Sequence, residues 1–138
     1  MIETTNLSNE TLAKVLQNAY IDYEIDEDGD LYVTGLDFPL WVKVDVTDPS
    51  YCKIVFSTFV RFSDEENIDE LKALQLANSI NSSYMPNQVY VSGDRLCSIY
   101  YLLVTDNLSE KLFISAMRRS AESFVSGIRE LDEHNLFN

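Results

Sequence analysis

Apolar residues recur along the chain with two periods, one typical of helices and the other typical of strands. Leu12, Val15 and Leu16 follow Ser8 at the three- and four-residue spacing of an amphipathic helix, and Ser8 is a suitable N-cap. The segment 38–46 alternates instead, with an apolar residue at every second position, which predicts a strand. The chain is therefore expected to begin with a short helix and to continue into β-structure.

The run 51–62 predicts a long strand that carries apolar residues on both faces. Its even positions place Cys52 and Phe56 on one face. Its odd positions bring Val55 and Phe59 to the other face, between polar and basic residues. Because this second face is only partly polar, we expect another element or a partner to cover some of it.

The second half of the chain predicts two more helices and two more strands. The acidic segment 63–66 predicts the start of a helix that continues to Asn81, with Leu71 and either Ala73 or Leu74 in its apolar stripe. Val89–Val91 and Leu96–Thr105 are predicted strands, and a long amphipathic helix is predicted from Ser109 to about Glu133.

The order of these elements predicts the fold class. It is α-β-β-β-β-α-β-β-α, with connections of hairpin length between successive strands. We therefore expect residues 1–138 to form a single α+β domain, in which three helices flank an antiparallel sheet.

Length and charge exclude several classes of function. The 138 residues suit one domain, and 46% hydrophobic residues allow a proper core. Ten basic and 23 acidic residues give a net charge of −13, which disfavours binding to nucleic acid and to anionic membranes. No transmembrane segment or signal peptide is evident, and Cys52 and Cys97 are expected to be free buried thiols, so we expect a cytoplasmic protein.

Asp26, Asp28 and Asp30 are spaced like the first ligands of an EF-hand calcium loop. Such a loop has glycine at its sixth position, whereas Leu31 stands there in this chain, and its flanks are helices rather than β-prone runs. The pattern therefore favours a solvated hairpin turn. Calcium binding is the alternative, and it predicts a gain in thermal stability at millimolar calcium.

The residues that usually carry catalysis lack a supporting pattern. The single histidine, His134, lies in a C-terminal segment that we expect to be frayed, and neither cysteine has a basic cluster or a second cysteine nearby. Four isolated glycines do not form a phosphate-binding loop. We expect no catalytic, cofactor or metal site, although paired carboxylates are not excluded among so many acids.

Aromatic and basic residues point to association instead. Tyr32, Trp41, Tyr51, Phe59 and Tyr101 are expected on the sheet face opposite the helices, where they would form an apolar patch rimmed by acids. Such a patch is either an open binding surface or is covered by a second copy of the chain or by the ends of the same chain. On the last helix, the arginines interrupt the acidic pattern and would pair within the chain or with a second subunit; these are Arg118, Arg119 and Arg129.

Several segments of the chain resemble the YbjN family of bacterial sensory transduction regulators. They are LANSIN at 76–81, QVYV at 88–91, LCSIYY at 96–101 and the run YIDYEIDEDGDL at 20–31, followed by a strand bearing Trp41. The resemblance implies a fold similar to that of type III secretion chaperones, which are small acidic proteins, commonly dimeric, that hold segments of a partner. It implies no catalytic residues.

Two hypotheses follow. The first is a non-enzymatic, regulatory or chaperone-like module that binds a polypeptide partner and is dimeric, with Trp41, Phe59, Met117 and Phe124 as apolar contacts and acidic rims that favour basic partners. The alternative is a small-ligand or hydrolytic domain with carboxylates in a cleft. We also expect Asn78 and Asn81 to have structural roles near a helix end.

Overall fold

The described residues form three helices and six strands. The computed structural model describes residues 2, 7–46, 52–64, 67–84, 86–105 and 107–137. Its elements, in chain order, are α1 (Asn9–Asn18), β1 (Tyr23–Ile25), β2 (Leu31–Val33), β3 (Leu40–Asp45), β4 (Cys52–Arg61), α2 (Glu70–Ser83), β5 (Gln88–Ser92), β6 (Arg95–Val104) and α3 (Glu110–Leu131). The predicted fold class and element order are confirmed.

One antiparallel sheet contains all six of these strands, in the order β1-β2-β3-β4-β6-β5. Its centre is the pairing of β4 with β6, which extends from Cys52 opposite Val104 to Arg61 opposite Arg95. Because side chains alternate along a strand, this register places every even-numbered residue of β4 and β6 on one face and every odd-numbered residue on the other. The faces predicted for the two long alternating runs are confirmed over their described residues.

The three helices pack on the even-numbered face. Helix α1 and the first half of α3 cover the sheet around Phe56, where Leu12, Leu16 and Phe113 are fully buried. Helix α2 and the second half of α3 meet over Val89 and Leu96 in a second cluster. The two clusters are in contact through Phe38, which packs against both of them.

Helix α1 begins where the sequence pattern predicts. The hydroxyl of Ser8 accepts a hydrogen bond from the backbone N–H of Thr11, and the Thr11 hydroxyl accepts one from the N–H of Ser8. This reciprocal cap satisfies donors that a helix start leaves unpaired.

Helix α2 begins later than predicted, and its buried stripe is rotated. Its N-cap is Asp69, which accepts a hydrogen bond from Lys72 N–H at 3.1 Å, whereas Asp64 closes a turn onto Asn67. Ser63 and Asp64 therefore lie before the helix, and Glu65 and Glu66 are outside the described residues. The buried residues are Ala73, Leu76, Ala77 and Ile80. Leu71 and Leu74, which are 66% and 51% exposed, lie on the outer side of the helix. The buried side carries the small residues Ala73 and Ala77, which allow α2 to lie close to the elements it packs against.

The C-terminal segment packs against the sheet instead of fraying. Phe137 stacks on Phe62 with ring centroids 5.0 Å apart, and Ser63 N–H donates to the carbonyl of Leu136 at 2.9 Å. His134 itself is exposed. The expectation of a frayed end was wrong because Leu136 and Phe137 have apolar surface to bury after the helix ends.

Asn81 attaches the end of α2 to strand β5. Its side-chain amide donates to the carbonyl of Val89 at 2.8 Å and accepts from the N–H of Val89 at 2.7 Å. The side chain therefore occupies the place that a neighbouring strand would take at this sheet edge. Asn81 has the expected structural role, but its partner is a strand and not the last carbonyls of its own helix.

Replacement of Asn81 tests this attachment. Asn81→Ala leaves both polar groups of Val89 without their partner, and we expect the free energy of unfolding to fall by about 1 to 2 kcal/mol. Asn78→Ala is the matched control, because Asn78 is an exposed residue of the same helix and alanine favours helix. Urea unfolding measures both variants; equal losses would show that the Val89 bonds do not contribute.

Candidate binding surface

The odd-numbered face of the sheet has no helix over it in the described part of the chain. We call it the open face; it consists of the side chains opposite the helices on all six strands. Large apolar groups lie on it in spite of its exposure: Tyr90 is 49%, Tyr101 41% and Leu103 58% exposed. Apolar side chains gathered on an exposed face are typical of a binding surface.

Three aromatic rings form a continuous row across strands β2, β3 and β4. Tyr32 and Trp41 are cross-strand partners with ring centroids 4.6 Å apart. Trp41 in turn stacks on Phe59 at 5.5 Å, with an angle of 12° between the ring planes. We call these three residues the aromatic row. Cross-strand aromatic contacts stabilise a sheet, and the rings are held in fixed orientations.

Basic side chains lie directly on aromatic rings of this face. The Arg95 guanidinium is 4.4 Å from the centre of the Phe59 ring, and the Arg61 guanidinium is 6.0 Å from it. On the same strands, Lys53 Nζ lies 5.1 Å from the centre of the Tyr101 ring. These distances are typical of cation–π contacts, which attract the charge to the ring face.

The charge of the open face differs between its two halves. On β1 and β3 the open face carries two acidic residues, Glu24 and Asp45, and one basic residue, Lys43. On β4, β5 and β6 the register places Lys53, Arg61 and Arg95 on the open face and no acidic side chain. The expected acidic groups thus lie mainly on the β1–β3 side, while the β4–β6 side carries three cations, with Asp94 beside Arg95 in the turn between β5 and β6. This sign reversal stands out in a chain of net charge −13.

Two of the four predicted contact residues lie on this surface and two do not. Trp41 and Phe59 are adjacent on the open face and half-buried. Met117 and Phe124 are fully buried in the core beneath α3. For them the prediction was wrong, because the apolar stripe of α3 faces the sheet. Tyr32 and Tyr101 lie on the open face as expected, and Tyr51 is outside the described residues.

Sequence analysis missed two residues of this surface, Tyr90 and Arg95. Tyr90 is opposite Cys97, and Arg95 is opposite Arg61. The pairing of β6 between β4 and β5 brings Tyr90 and Arg95 beside Phe59, whereas Arg61 lies on the same face of β4 as Phe59, as the alternation predicted. The available signal was alternation within each strand, which indicates a face but not which strands are neighbours.

The two cysteines are poorly suited to nucleophilic chemistry. Burial raises the pKa of the Cys52 thiol, and it is also the main cause that raises the pKa of Cys97 beside Tyr90. A raised pKa leaves less of the reactive thiolate at neutral pH. Both cysteines are unbridged, as predicted.

The acidic residues of the β1–β2 hairpin close a turn. Asp26 Oδ1 accepts hydrogen bonds from the N–H groups of Asp28 and Asp30, each at 2.9 Å, and Gly29 takes a positive φ of 82°. The side chains of these aspartates come within 4.8 Å of one another. Asp37, at the twelfth position of a calcium loop, lies beyond β2 in a separate groove.

That separate groove lies between the β2–β3 connection and α3. Its volume is about 480 Å³, and its polar lining includes Asp37, Glu122, Arg118 and Arg129. Arg119, the neighbour of Arg118, is exposed on the same helix. The groove therefore mixes both signs of charge at the helix surface.

Comparison with known proteins identifies the fold. No family model matches the chain, and no curated protein sequence matches it significantly. The structure is similar to the crystal structure of YbjN from E. coli, described as a proposed transcription regulator. The TM-score is 0.65 with 21% identity, and the match covers 94% of each chain.

A second similar structure is that of an uncharacterized protein from Methanothermobacter thermautotrophicus. The TM-score is 0.60 with 15% identity, covering 92% of this chain and 98% of the other. The chain therefore has a YbjN-like α+β fold, and the resemblance predicted from its sequence is confirmed at the level of the fold.

Neither of these neighbours is described as an enzyme. None of the helices in the described part of the chain combines the length and the apolar character that crossing a bilayer requires.

Neutralising Asp30 tests the electrostatics of the hairpin. Burial, followed by the charge of Asp26, raises the pKa of Asp30 in the folded protein. Ionised Asp30 therefore costs stability above its folded pKa, and the cost disappears below the unfolded pKa of about 4, where both states are protonated.

We accordingly expect Asp30→Asn to raise Tm at pH 7 and to leave it unchanged near pH 3. Asp37→Asn removes one charge at an exposed position outside the hairpin and is the control. Thermal unfolding at both pH values measures the difference; a fall in Tm for Asp30→Asn at pH 7 would contradict the prediction.

Proposed function

We propose that this protein is a non-enzymatic regulatory or chaperone-like module that binds a polypeptide partner on the open face of its sheet. The observation that carries the proposal is the aromatic row of Tyr32, Trp41 and Phe59, which lies on a face that no described helix covers. Preformed aromatic surfaces of this kind contribute much of the binding energy in protein interfaces, because rigid rings bury a large area at little entropic cost.

The shape of the surface supports a macromolecular partner. The depression beside Trp41, Phe59 and Tyr90 has a volume of about 470 Å³ and is open along the strands rather than enclosed. Small-molecule sites are usually concave and bury most of their ligand. An extended apolar segment of a polypeptide, in contrast, fits a shallow row of rings.

The fold supports the same class of function. The similar structure from E. coli carries a proposed role in transcription regulation, and a regulator of that kind acts by binding. We propose that the protein works in the cytoplasm as a homodimer, in keeping with its unbridged cysteines and its exposed apolar groups. Sedimentation equilibrium measures the oligomeric state.

Replacement of Trp41 tests the binding surface. Trp41→Ala removes the middle ring of the aromatic row, and we expect partner capture to fall at least tenfold. The free energy of unfolding should fall by only about 2 kcal/mol, because Trp41 is half-buried. Affinity capture from cells that express the tagged protein, with quantitative mass spectrometry, measures the first effect, and urea unfolding measures the second.

Leu71→Ala is the matched control for that experiment. Leu71 is a large apolar residue, 66% exposed, on helix α2 and so on the other side of the molecule. We expect this variant to capture the same polypeptides as the unaltered protein. Equal capture by Trp41→Ala, together with a large loss of stability, would make Trp41 a core residue and would refute the proposal.

A further inference from the structure

We propose that Arg61 and Arg95 form a carboxylate-binding site next to the aromatic row, and that the partner presents an acidic segment with aromatic or aliphatic neighbours. This inference rests on the proposed function, to which it adds the chemistry of the partner. The sequence led us to expect a partner with basic groups, whereas the position of these two arginines favours a partner with acidic groups.

The two arginines are direct cross-strand partners at one end of the β4–β6 ladder. Like charges directly opposite each other on one face of a sheet destabilise the pair. An anion that binds both guanidinium groups relieves this repulsion. Electrostatic repulsion between the two arginines therefore favours the binding of a carboxylate between them.

Phe59 holds both guanidinium groups in place. Arg95 lies 4.4 Å and Arg61 6.0 Å from the centre of its ring. Guanidinium groups combine such ring contacts with paired hydrogen bonds to a carboxylate, since the planar fork matches the two carboxylate oxygens. The ring thus lowers the entropy that the arginines would lose on binding an anion.

Acidic groups of the chain itself leave room for an external carboxylate. Asp94 approaches Arg95 through Nε at 3.6 Å, a long contact for an ion pair. Among the described residues, none places a carboxylate at ion-pair distance from Arg61. The site is therefore only partly neutralised in the free protein.

The surroundings of the arginine pair specify an apolar neighbour for the bound acid. Arg95 lines the depression of about 470 Å³ together with the rings of Trp41, Phe59 and Tyr90, and Asp94 is the one acidic residue in that lining. A glutamate or aspartate flanked by aromatic residues would place its carboxylate on the arginines and its neighbours on these rings.

A polypeptide fits this site better than the other anionic or apolar occupants. Nucleic acid carries a dense row of phosphates, which the net charge of −13 repels. A second copy of the chain that used the same face would bring two arginine pairs into one interface. A short segment with a few carboxylates meets less of this repulsion than a row of phosphates does, and it brings no second arginine pair.

The single tryptophan of the chain, Trp41, provides a direct test. Its fluorescence is titrated with a capped six-residue peptide in which glutamate and phenylalanine alternate, and with the same peptide carrying glutamine in place of glutamate. We expect the acidic peptide to bind about tenfold or more tightly, as a charge-assisted pair implies. The double variant Arg61→Gln/Arg95→Gln should abolish this preference without lowering Tm.

Arg118→Gln/Arg119→Gln is the charge-matched control on helix α3, and it should keep the preference. Equal binding of both peptides would overturn the carboxylate site while leaving polypeptide binding intact. Binding of neither peptide would also overturn the site. In that case the Trp41→Ala capture experiment decides the proposed function. Tighter binding of a single-stranded oligonucleotide, or self-association that the arginine double variant abolishes, would assign the site to another occupant and refute the inference.

Discussion

Strand β4 has apolar residues on both of its faces, while the helices of the described residues cover only one face of the sheet that surrounds it. The even face of β4 is sealed by α1 and α3 around Phe56. The odd face carries Phe59 and Val55. Val55 is buried and lies between its cross-strand partners Lys43 and Tyr101. An antiparallel sheet tolerates one solvated face when that face is polar. Here the uncovered face is aromatic, so the other features of the open face depend on how these rings are partly shielded.

The contacts within the aromatic row, and the cations that lie on its rings, reduce the exposure of these apolar groups. Trp41 covers part of Phe59, and Arg95 covers another part of it. Stacking reduces the exposure of each ring while keeping the row accessible along its length. The surface is consequently stable in the free protein and still has apolar area to bury against a partner. The arginines bring the charge that makes one kind of partner more favourable than another.

Two asparagine side chains, at and near the edge strand β5, form hydrogen bonds that attach neighbouring elements to each other. Asn81 pairs with both polar backbone groups of Val89, which protects part of edge strand β5. Asn87 lies beneath α3, where its amide donates to Ser98 Oγ at 2.6 Å and to the Ser120 carbonyl at 2.7 Å. Buried polar contacts of this kind attach the last helix in one position, which keeps the open face free of it.

Local patterns were enough to predict the order of the elements, which residues of β3 and β4 share a face, and the N-cap at Ser8. These features depend on residues close in sequence, whose spacing is set by the helix and strand periods. The burial of Met117 and Phe124, and the approach of Arg95 and Tyr90 to Phe59, depended on long-range packing and strand pairing instead. Which strands become neighbours is decided by how the whole core packs, and no local period carries that information.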